Sequence, residues 1–302
     1  MPRGPRDDDP RVKTFVVTGG GRGLGRETAE KLAARGYRVV LVARTLDRAA
    51  AAAAEIRATV AGAVVEARAV DLASMGAVRQ FAAGLCADLD RIDVLFHIGG
   101  VLQTSPTRRI TVDGYEETLA VNALAPFLLT RLLLPLLERT EAARIVMVSS
   151  RLHLPGSRGA PVDFDFGDPQ LDHGYSPERA YKNSKLAVLW FTYELQRRLP
   201  EGLTANAVCP GFVPITAAAS TSGVEHWLMA HVLPHMPFAT SVDAATDALV
   251  FMAADASLDG VGGRFFGERH EIESSPESHD VAKQRRFWDL ADRLTGLNGP
   301  GC

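Results

Sequence analysis

The sequence predicts a single α/β domain with a doubly wound, seven-stranded parallel sheet and helices on both of its faces. Two observations predict this fold class. Short runs rich in β-branched residues alternate with longer alanine- and leucine-rich segments of helical period. The first β-branched run also leads through a glycine-rich turn, residues 18–25, straight into a predicted helix. A parallel sheet needs such crossover helices, so the alternation indicates strands that are covered on both faces.

The elements follow in order along the chain. The β-branched runs predict strands at 14–17, 38–42, 64–69, 94–97, 144–149, 204–208 and 263–266. The helical periods predict helices at 24–35, 46–60, 75–88, 112–137, 177–199 and 241–254, with a helical tail at about 281–297.

Three segments fall outside this alternation. Residues 1–12 are polar and contain proline, and we predict that they are disordered. Residues 151–176 form a long connection rich in Pro, Gly and Asp, which we expect to border the functional site. Residues 212–240 contain several large apolar side chains, and we interpret them as an amphipathic insertion over a substrate pocket. Ordinary core packing of those apolar residues is the alternative.

Composition excludes some classes of partner. The net charge of -3 and the pI near 6.3 provide no basic surface for nucleic acid or an anionic membrane, so a small uncharged or apolar substrate fits better. The N-terminus lacks the apolar stretch of a secretory signal, which predicts a cytoplasmic protein. The most apolar run, 125–137, contains Arg131 and Pro135 and is too short to predict a membrane span. The three cysteines and the histidines match no metal-ligand spacing, so no metal is expected.

The glycine-rich turn reads TGGGRGLG, a TGxxxGxG spacing rather than GxGxxG. Glycines at this position let backbone N–H groups approach a pyrophosphate, and the helix that follows adds its positive end. A turn that merely packs tightly against a helix is the alternative, but it does not explain the placement between the first strand and a helix. The residues predicted to hold the dinucleotide here are Gly19, Gly21, Arg22, Gly23, Leu24 and Gly25.

The residues after the second and third strands indicate which dinucleotide is bound. An NAD site has an acid after the second strand, whereas this chain has Arg44. A guanidinium pairs with a 2′-phosphate, and Arg22 offers a second cation, so NADP(H) is favoured. Each arginine taken singly could instead be a solvated surface charge. Asp71 and Leu72 end the third strand, where they could contact an adenine ring, or Asp71 could be a helix N-cap.

A tyrosine and a lysine four residues apart, Tyr181 and Lys185 in AYKNSK, share one helix face. Lowering a phenol pKa from about 10 to about 7 requires roughly 4 kcal/mol of preferential phenolate stabilisation. An ammonium about 4 Å away supplies roughly that amount at an effective dielectric of about 20. We therefore expect Tyr181 to act as general acid or base in carbonyl–alcohol interconversion. The alternative is that both side chains lie on a solvent-exposed helix face and have no catalytic role.

Two polar residues accompany this pair. Ser150 closes the strand RIVMVSS, where its hydroxyl could orient a substrate oxygen, although serine is also a common turn residue. Asn122 lies in the otherwise apolar segment LAVNALAPFLL, where an unpaired amide is costly. It could hold a water that links Lys185 to solvent, or it could distort the helix and bond a backbone carbonyl.

Together these motifs resemble the short-chain dehydrogenase/reductase superfamily over residues 13–297. The resemblance implies a Rossmann-type fold and a catalytic tetrad of Asn122, Ser150, Tyr181 and Lys185. It also implies that Tyr181 and Lys185 contact the cofactor, with Lys185 on the nicotinamide ribose. Further cofactor contacts are implied at Gly99, Pro210, Gly211 and Thr216.

The segment RIVMVSSRLH and the tail FWDLADRLTGL resemble the branch that contains retinol dehydrogenases and protochlorophyllide reductase. That resemblance implies a bulky hydrophobic substrate. The sequence departs from the family pattern at His97, where an asparagine is usual, and at Thr216, which comes one residue late. The resemblance implies a homodimer or homotetramer through the helices of Asn122 and Tyr181, whereas the extended C-terminal tail favours a monomer.

The leading hypothesis is an NADP(H)-dependent oxidoreductase that acts on a hydrophobic ketone, aldehyde or alcohol. A second hypothesis is a family member that uses the nucleotide without net redox change, as an isomerase, dehydratase or cyclase. A third is a binding protein that senses the nucleotide without turnover, but such a sensor does not need the complete tetrad.

Overall fold

A computed structural model describes residues 12–155, 162–214, 227, 229, 231–236 and 239–297. Nearly all of the N-terminal segment that we predict to be disordered lies outside these residues. Much of the predicted insertion at 212–240, including Thr216, also lies outside them.

The described chain folds around one eight-stranded sheet with the order β3-β2-β1-β4-β5-β6-β7-β8. All neighbouring strands are parallel except β7 and β8, which are antiparallel. The strands are β1 Thr14–Thr18, β2 Arg38–Ala43, β3 Val65–Ala69, β4 Val94–His97, β5 Arg144–Val148, β6 Thr204–Cys209, β7 Phe265–Gly267 and β8 His270–Glu271. The doubly wound fold class is confirmed, and the seven predicted strands correspond to β1–β7.

The sequence prediction of seven strands misses β8. This strand has two exposed residues and pairs only with β7, so it carries no alternation of apolar and polar residues that could reveal it. The strand order changes direction between β1 and β4, which opens a crevice at the carboxyl ends of these strands.

In the part of the chain that the structure describes, seven helices cover the sheet: α1 Gly23–Ala34, α2 Leu46–Thr59, α3 Met75–Asp88, α4 Glu117–Leu137, α5 Pro177–Arg198, α6 Val242–Ala254 and α7 Val281–Thr295. Alternate side chains of each strand face opposite cores. Val16 points to the core beneath α3, α4, α5 and α7, whereas Phe15 and Val17 point to the core beneath α1, α2 and α6. This two-sided burial explains why the strands read as continuous apolar runs.

Helix α4 begins five residues later than the predicted start at residue 112. Ile110 and Glu116 form an isolated antiparallel bridge, so the chain between them makes a turn. The buried Glu116 carboxylate then accepts the N–H groups of Thr118 at 2.9 Å and Leu119 at 2.7 Å, which starts the helix. The periodicity of the sequence could not distinguish this cap from a further helical turn.

By length and composition alone, α4 could cross a membrane, because its 21 residues are mostly apolar. The sequence argument that this run is too short does not hold, since the helix extends back to Glu117. However, 78% of its apolar window is buried inside the fold, as in a core helix. It is the single helix of this kind within the described ranges.

Helix α7 packs along α5 and also contacts α4. Trp288 lies against Phe127 of α4 with ring centroids 5.1 Å apart and against Phe191 of α5 at 6.0 Å. Arg131 of α4 pairs with Asp292 at 2.9 Å. The C-terminal helix therefore completes the core on this side of the sheet.

Candidate active site

The glycine turn between β1 and α1 has no room for side chains at two positions. Gly19 has φ +73°, and a Cβ there would lie 2.6 Å from the backbone of Gly99. A Cβ at Gly25 would lie 2.2 Å from the carbonyl oxygen of Gly19. Arg22, the N-cap of α1, makes no side-chain bond to the first-turn N–H groups. These N–H groups and the bare backbone fit a pyrophosphate.

Three arginines lie around the adjoining part of the cavity: Arg22, Arg44 and Arg48. Arg44 Nε is 3.9 Å from Asp71 Oδ1, and both side chains are about half exposed. Arg48 lies in the first turn of α2 and was not among the predicted residues. A further basic residue in ARTLDR, just after the second strand, is the signal that could have revealed it.

Asp71 is not the N-cap of α3, so that alternative is wrong. Ser74 caps the helix by accepting the N–H of Ala77 at 3.2 Å. Asp71 accepts the N–H of Ala73 at 3.0 Å and lines the cavity together with Leu72.

A single cavity of about 1320 Å³ brings most of the predicted site residues together at the carboxyl ends of the strands. Asn122 does not line it, and Thr216 lies beyond the described part of the chain. The predicted residues on its wall are Gly19, Gly21, Arg22, Gly23, Leu24, Gly25, Arg44, Asp71, Leu72, Gly99, Ser150, Tyr181, Lys185, Pro210 and Gly211.

The hydroxyl groups of Ser150 and Tyr181 are hydrogen bonded to each other in this cavity. Ser150 Oγ also accepts the N–H of Leu152 at 3.2 Å, which fixes the turn after β5. Lys185 Nζ donates to the carbonyl oxygen of Val148 at 3.0 Å and lies 5.4 Å from the Tyr181 ring centroid. A substrate oxygen can therefore reach two hydroxyls side by side.

Burial dominates the ionisation of the Tyr–Lys pair. It raises the pKa of Tyr181 to about 12 and lowers the pKa of Lys185 to about 8. The expectation that the Lys185 ammonium brings the phenol pKa near 7 is not met, because desolvation disfavours the charged forms of both groups. At neutral pH the tyrosine carries its proton, which is the form that a general acid needs.

Asn122 lies in a π-helical stretch of α4, Ala120–Leu124, a distortion often found at functional sites. Its Oδ1 accepts the N–H of Val101 at 2.7 Å, and its Nδ2 donates to the Val101 carbonyl at 2.9 Å and to Ser184 Oγ at 3.1 Å. Ser184 Oγ in turn donates to the carbonyl of Tyr181 at 2.7 Å. Asn122 thus ties the loop after β4 to the helix of the Tyr–Lys pair.

His97 ends β4 in a fully buried position. Its Nε2 bonds Thr130 Oγ1 of α4 at 2.9 Å, while Nδ1 has no partner among the described residues. Burial lowers the pKa of His97 to about 3, so the ring is neutral. It therefore links a strand end to α4 and carries no charge into the site.

Cys209 and Thr240 also lie on the cavity wall and were not among the predicted residues. Cys209 ends β6 in a buried position and lines the cavity with Tyr181 and Lys185. Thr240 binds the carbonyl of Phe212 through its N–H at 2.7 Å and packs where a side chain at Gly211 would lie. Both depend on contacts between distant segments, which leave no local motif.

The loops after β4, β5 and β6 contribute apolar side chains to the cavity wall, together with the charged residues Arg151 and Glu268. The apolar residues are Leu102, Leu152, Leu154, Pro155, Phe212 and Val213. In the described ranges, no group of three or more His, Cys, Asp or Glu side chains is placed to hold a metal ion.

Comparison with known proteins identifies the family. The family model described as short chain dehydrogenase matches residues 13–162. Human retinol dehydrogenase 13 is 35% identical, over 95% of this chain and 86% of that protein. The chain is a short-chain dehydrogenase/reductase of the retinol dehydrogenase branch. This assignment confirms the resemblance seen in the motifs.

Other relatives of this short-chain dehydrogenase/reductase agree in length and fold. Human retinol dehydrogenase 14 is 34% identical, over 97% of this chain and 90% of that protein. The crystal structure of an uncharacterized protein from Mycobacterium paratuberculosis is 32% identical, covers 94% of this chain and 93% of its own, and superposes with a TM-score of 0.73. The family assignment thus applies to nearly the whole chain, and the protein is a dehydrogenase/reductase.

Proposed function

We propose that this protein is an NADP(H)-dependent oxidoreductase that interconverts a hydrophobic ketone or aldehyde and its alcohol. The observation that carries the proposal is the hydrogen bond between Ser150 and Tyr181 in a cavity that continues into the glycine turn. A bound reduced nicotinamide would supply the hydride for the carbonyl carbon.

The chain itself provides the proton and the orientation. Tyr181, which is protonated at neutral pH, donates its proton to the substrate oxygen, and Ser150 Oγ bonds the same oxygen and fixes its direction. The Lys185 ammonium stabilises the phenolate that remains. In the direction of alcohol oxidation the same phenol must first lose its proton, so that direction needs higher pH.

The choice of NADP(H) over NAD(H) rests on the three arginines of the nucleotide end. Arg22, Arg44 and Arg48 present guanidinium groups around a region where the acid of an NAD site is missing. A guanidinium forms charge-assisted hydrogen bonds with a phosphate, and it would not select a free ribose hydroxyl.

The substrate class rests on the apolar end of the cavity. Side chains such as Leu152 and Phe212 are partly exposed there and would be covered by an apolar substrate. The relatives named retinol dehydrogenase support a large apolar alcohol or aldehyde, and retinal therefore belongs in any substrate panel. The cytoplasmic location stays a prediction.

The test is to mix the protein with NADPH and hydrophobic aldehydes and ketones, retinal included, and to follow the absorbance of the reduced nicotinamide. We expect consumption of NADPH by the wild-type protein and a loss of about 10²- to 10⁴-fold in Tyr181→Phe. Tyr37→Phe is the matched control, because Tyr37 stacks on Phe15 away from the cavity.

The same assay separates the two other hypotheses. Product formation without NADPH consumption would select the non-redox enzyme. Binding of NADPH without any product would select the nucleotide sensor. Equal activity of Tyr181→Phe and wild type would overturn the assigned role of the phenol.

A further inference from the structure

His153 connects the turn after β5 to a segment 122 residues away in sequence. Its ring is 1% exposed and follows Ser150 in the short 3₁₀ turn Arg151–His153. Nδ1 is hydrogen bonded to the carbonyl oxygen of Ser150. Nε2 is hydrogen bonded to the backbone N–H of Ser275 at 3.1 Å. Both ring nitrogens are therefore used by main-chain partners.

These partners fix the protonation of the ring. A carbonyl oxygen can only accept and a backbone N–H can only donate, so Nδ1 carries the hydrogen and Nε2 is the acceptor. Burial lowers the pKa of His153, which agrees with a neutral ring. The ring also packs edge-on against Phe265 of β7, with centroids 5.1 Å apart. His153 is thus held in one tautomer and one orientation.

The far end of this connection is itself anchored to the helix of Tyr181. Ser274 Oγ bonds the hydroxyl of Tyr193 at 2.7 Å, and Trp190 Nε1 donates to the carbonyl of Glu277 at 2.9 Å. Tyr193 and Trp190 both belong to α5. Segment 274–279 is therefore a bridge between the catalytic helix and, through His153, the strand end that carries Ser150.

From this geometry we infer that His153 is a positioning residue for Ser150, holding the Ser150 backbone so that its hydroxyl stays against Tyr181. The inference rests on the proposed function, since it concerns the geometry of that proton transfer. The imidazole touches neither the cavity nor the reacting atoms. His153 acts by fixing the position of the Ser150 carbonyl, and this position determines the direction of Ser150 Oγ.

Two conservative variants separate the two hydrogen bonds. The amide of His153→Asn can place a donor near the position of Nδ1 and keep the bond to Ser150, whereas His153→Gln can place an acceptor near Nε2 and keep the bond to Ser275. We expect kcat within about threefold of wild type for His153→Asn, but about 10- to 100-fold lower for His153→Gln and His153→Phe. The KM for NADPH should not change. His270→Gln on exposed β8 is the control.

A cycle with Ser150→Ala tests whether His153 acts through the serine. In that background we expect His153→Gln to change the remaining kcat by less than about twofold. The same loss in both backgrounds would mean a general structural role and would overturn the inference. Because His153→Asn and His153→Gln each retain one buried hydrogen bond, their melting temperatures should be similar, and their kcat values can be compared directly.

The outcomes also distinguish this inference from the proposed function. If wild-type protein turns over no carbonyl, the proposed function fails and the inference fails with it. If wild type is active and His153→Asn and His153→Gln have equal kcat, the inference alone fails.

Discussion

The glycine turn at the nucleotide end of the cavity is built from closely packed main chain, whereas the other end of the cavity is built from side chains on loops. Gly19, Gly25 and Gly99 bring three backbone segments within contact distance, and a single added Cβ would disrupt them. Beyond Ser150, Leu152 and Phe212 project from connections that follow β5 and β6. A tight backbone geometry requires glycine at fixed positions, and these glycines form a recognisable sequence motif. An apolar wall of loop side chains can be formed by many different sequences. The residues that would bind the dinucleotide can therefore be predicted from this sequence, whereas the residues that would select the substrate cannot.

The sharpest way to break the nucleotide end is Gly25→Ala. The new Cβ would lie 2.2 Å from the carbonyl oxygen of Gly19, so the turn must shift. If shifting the turn costs about 3 kcal/mol of binding free energy, the Kd for NADPH should rise about 100-fold or more. Fluorescence titration with NADPH measures this Kd. Gly84→Ala in α3 is the control, because its Cβ would meet nothing within 4 Å. Tight NADPH binding by Gly25→Ala would show that the backbone cradle is not the binding site.

The arginine cluster can be broken without touching the backbone. For Arg44→Asp we expect the KM ratio of NADP(H) to NAD(H) to rise about 10- to 100-fold, because a charge-assisted hydrogen bond is replaced by repulsion. Arg48→Ala should shift the ratio in the same direction by less. Arg35→Asp is the charge-matched control, since Arg35 is exposed at the end of α1. An unchanged ratio in Arg44→Asp would contradict the assigned role.

The pH profile of the reaction rate tests the role of Lys185, which lies between the two ends of the cavity. Because burial lowers its pKa to about 8, the ammonium form prevails below that pH and is lost as the pH rises through it. The rate of carbonyl reduction should therefore be halved near pH 8 and fall about tenfold by pH 9. In Lys185→Arg the remaining activity should lack this fall, since a guanidinium does not titrate there. A wild-type profile that stays flat to pH 9 would exclude the role of the ammonium.

The smallest effect is expected at the substrate end. Phe212 is 39% exposed in the cavity, so an apolar substrate would cover only part of the ring. Phe212→Ala should raise the KM for a hydrophobic aldehyde about fivefold, which corresponds to about 1 kcal/mol of lost burial. The Kd for NADPH should stay the same. A loss of affinity for both ligands would mean that the two ends are not independent.

The sequence predicted the sheet well because β1–β7 are buried on both faces and therefore read as apolar runs. It could not predict β8, which is short and exposed, or the start of α4, which depends on the buried Glu116 carboxylate. Neither feature leaves a periodic pattern of apolar residues in the sequence.

The candidate site shows the same division. Ser150, Tyr181 and Lys185 follow from a strand end and a helical spacing, and the structure brings them into one cavity. The pKa of Tyr181 could not be predicted, because it is raised mainly by burial, which depends on the folded structure. The bond from His153 to Ser275 joins residues that no local pattern connects.

Helix α7 covers an aromatic surface of α4 and α5 that a neighbouring molecule would otherwise have to cover. Without its 15 residues, the rings of Phe127 and Phe191 would lose Trp288, and a face of α4 and α5 would present bare aromatic surface to water. Exposed apolar surface of this kind promotes self-association. Removal of α7 should therefore lower the solubility of the protein, and turbidity would report the loss.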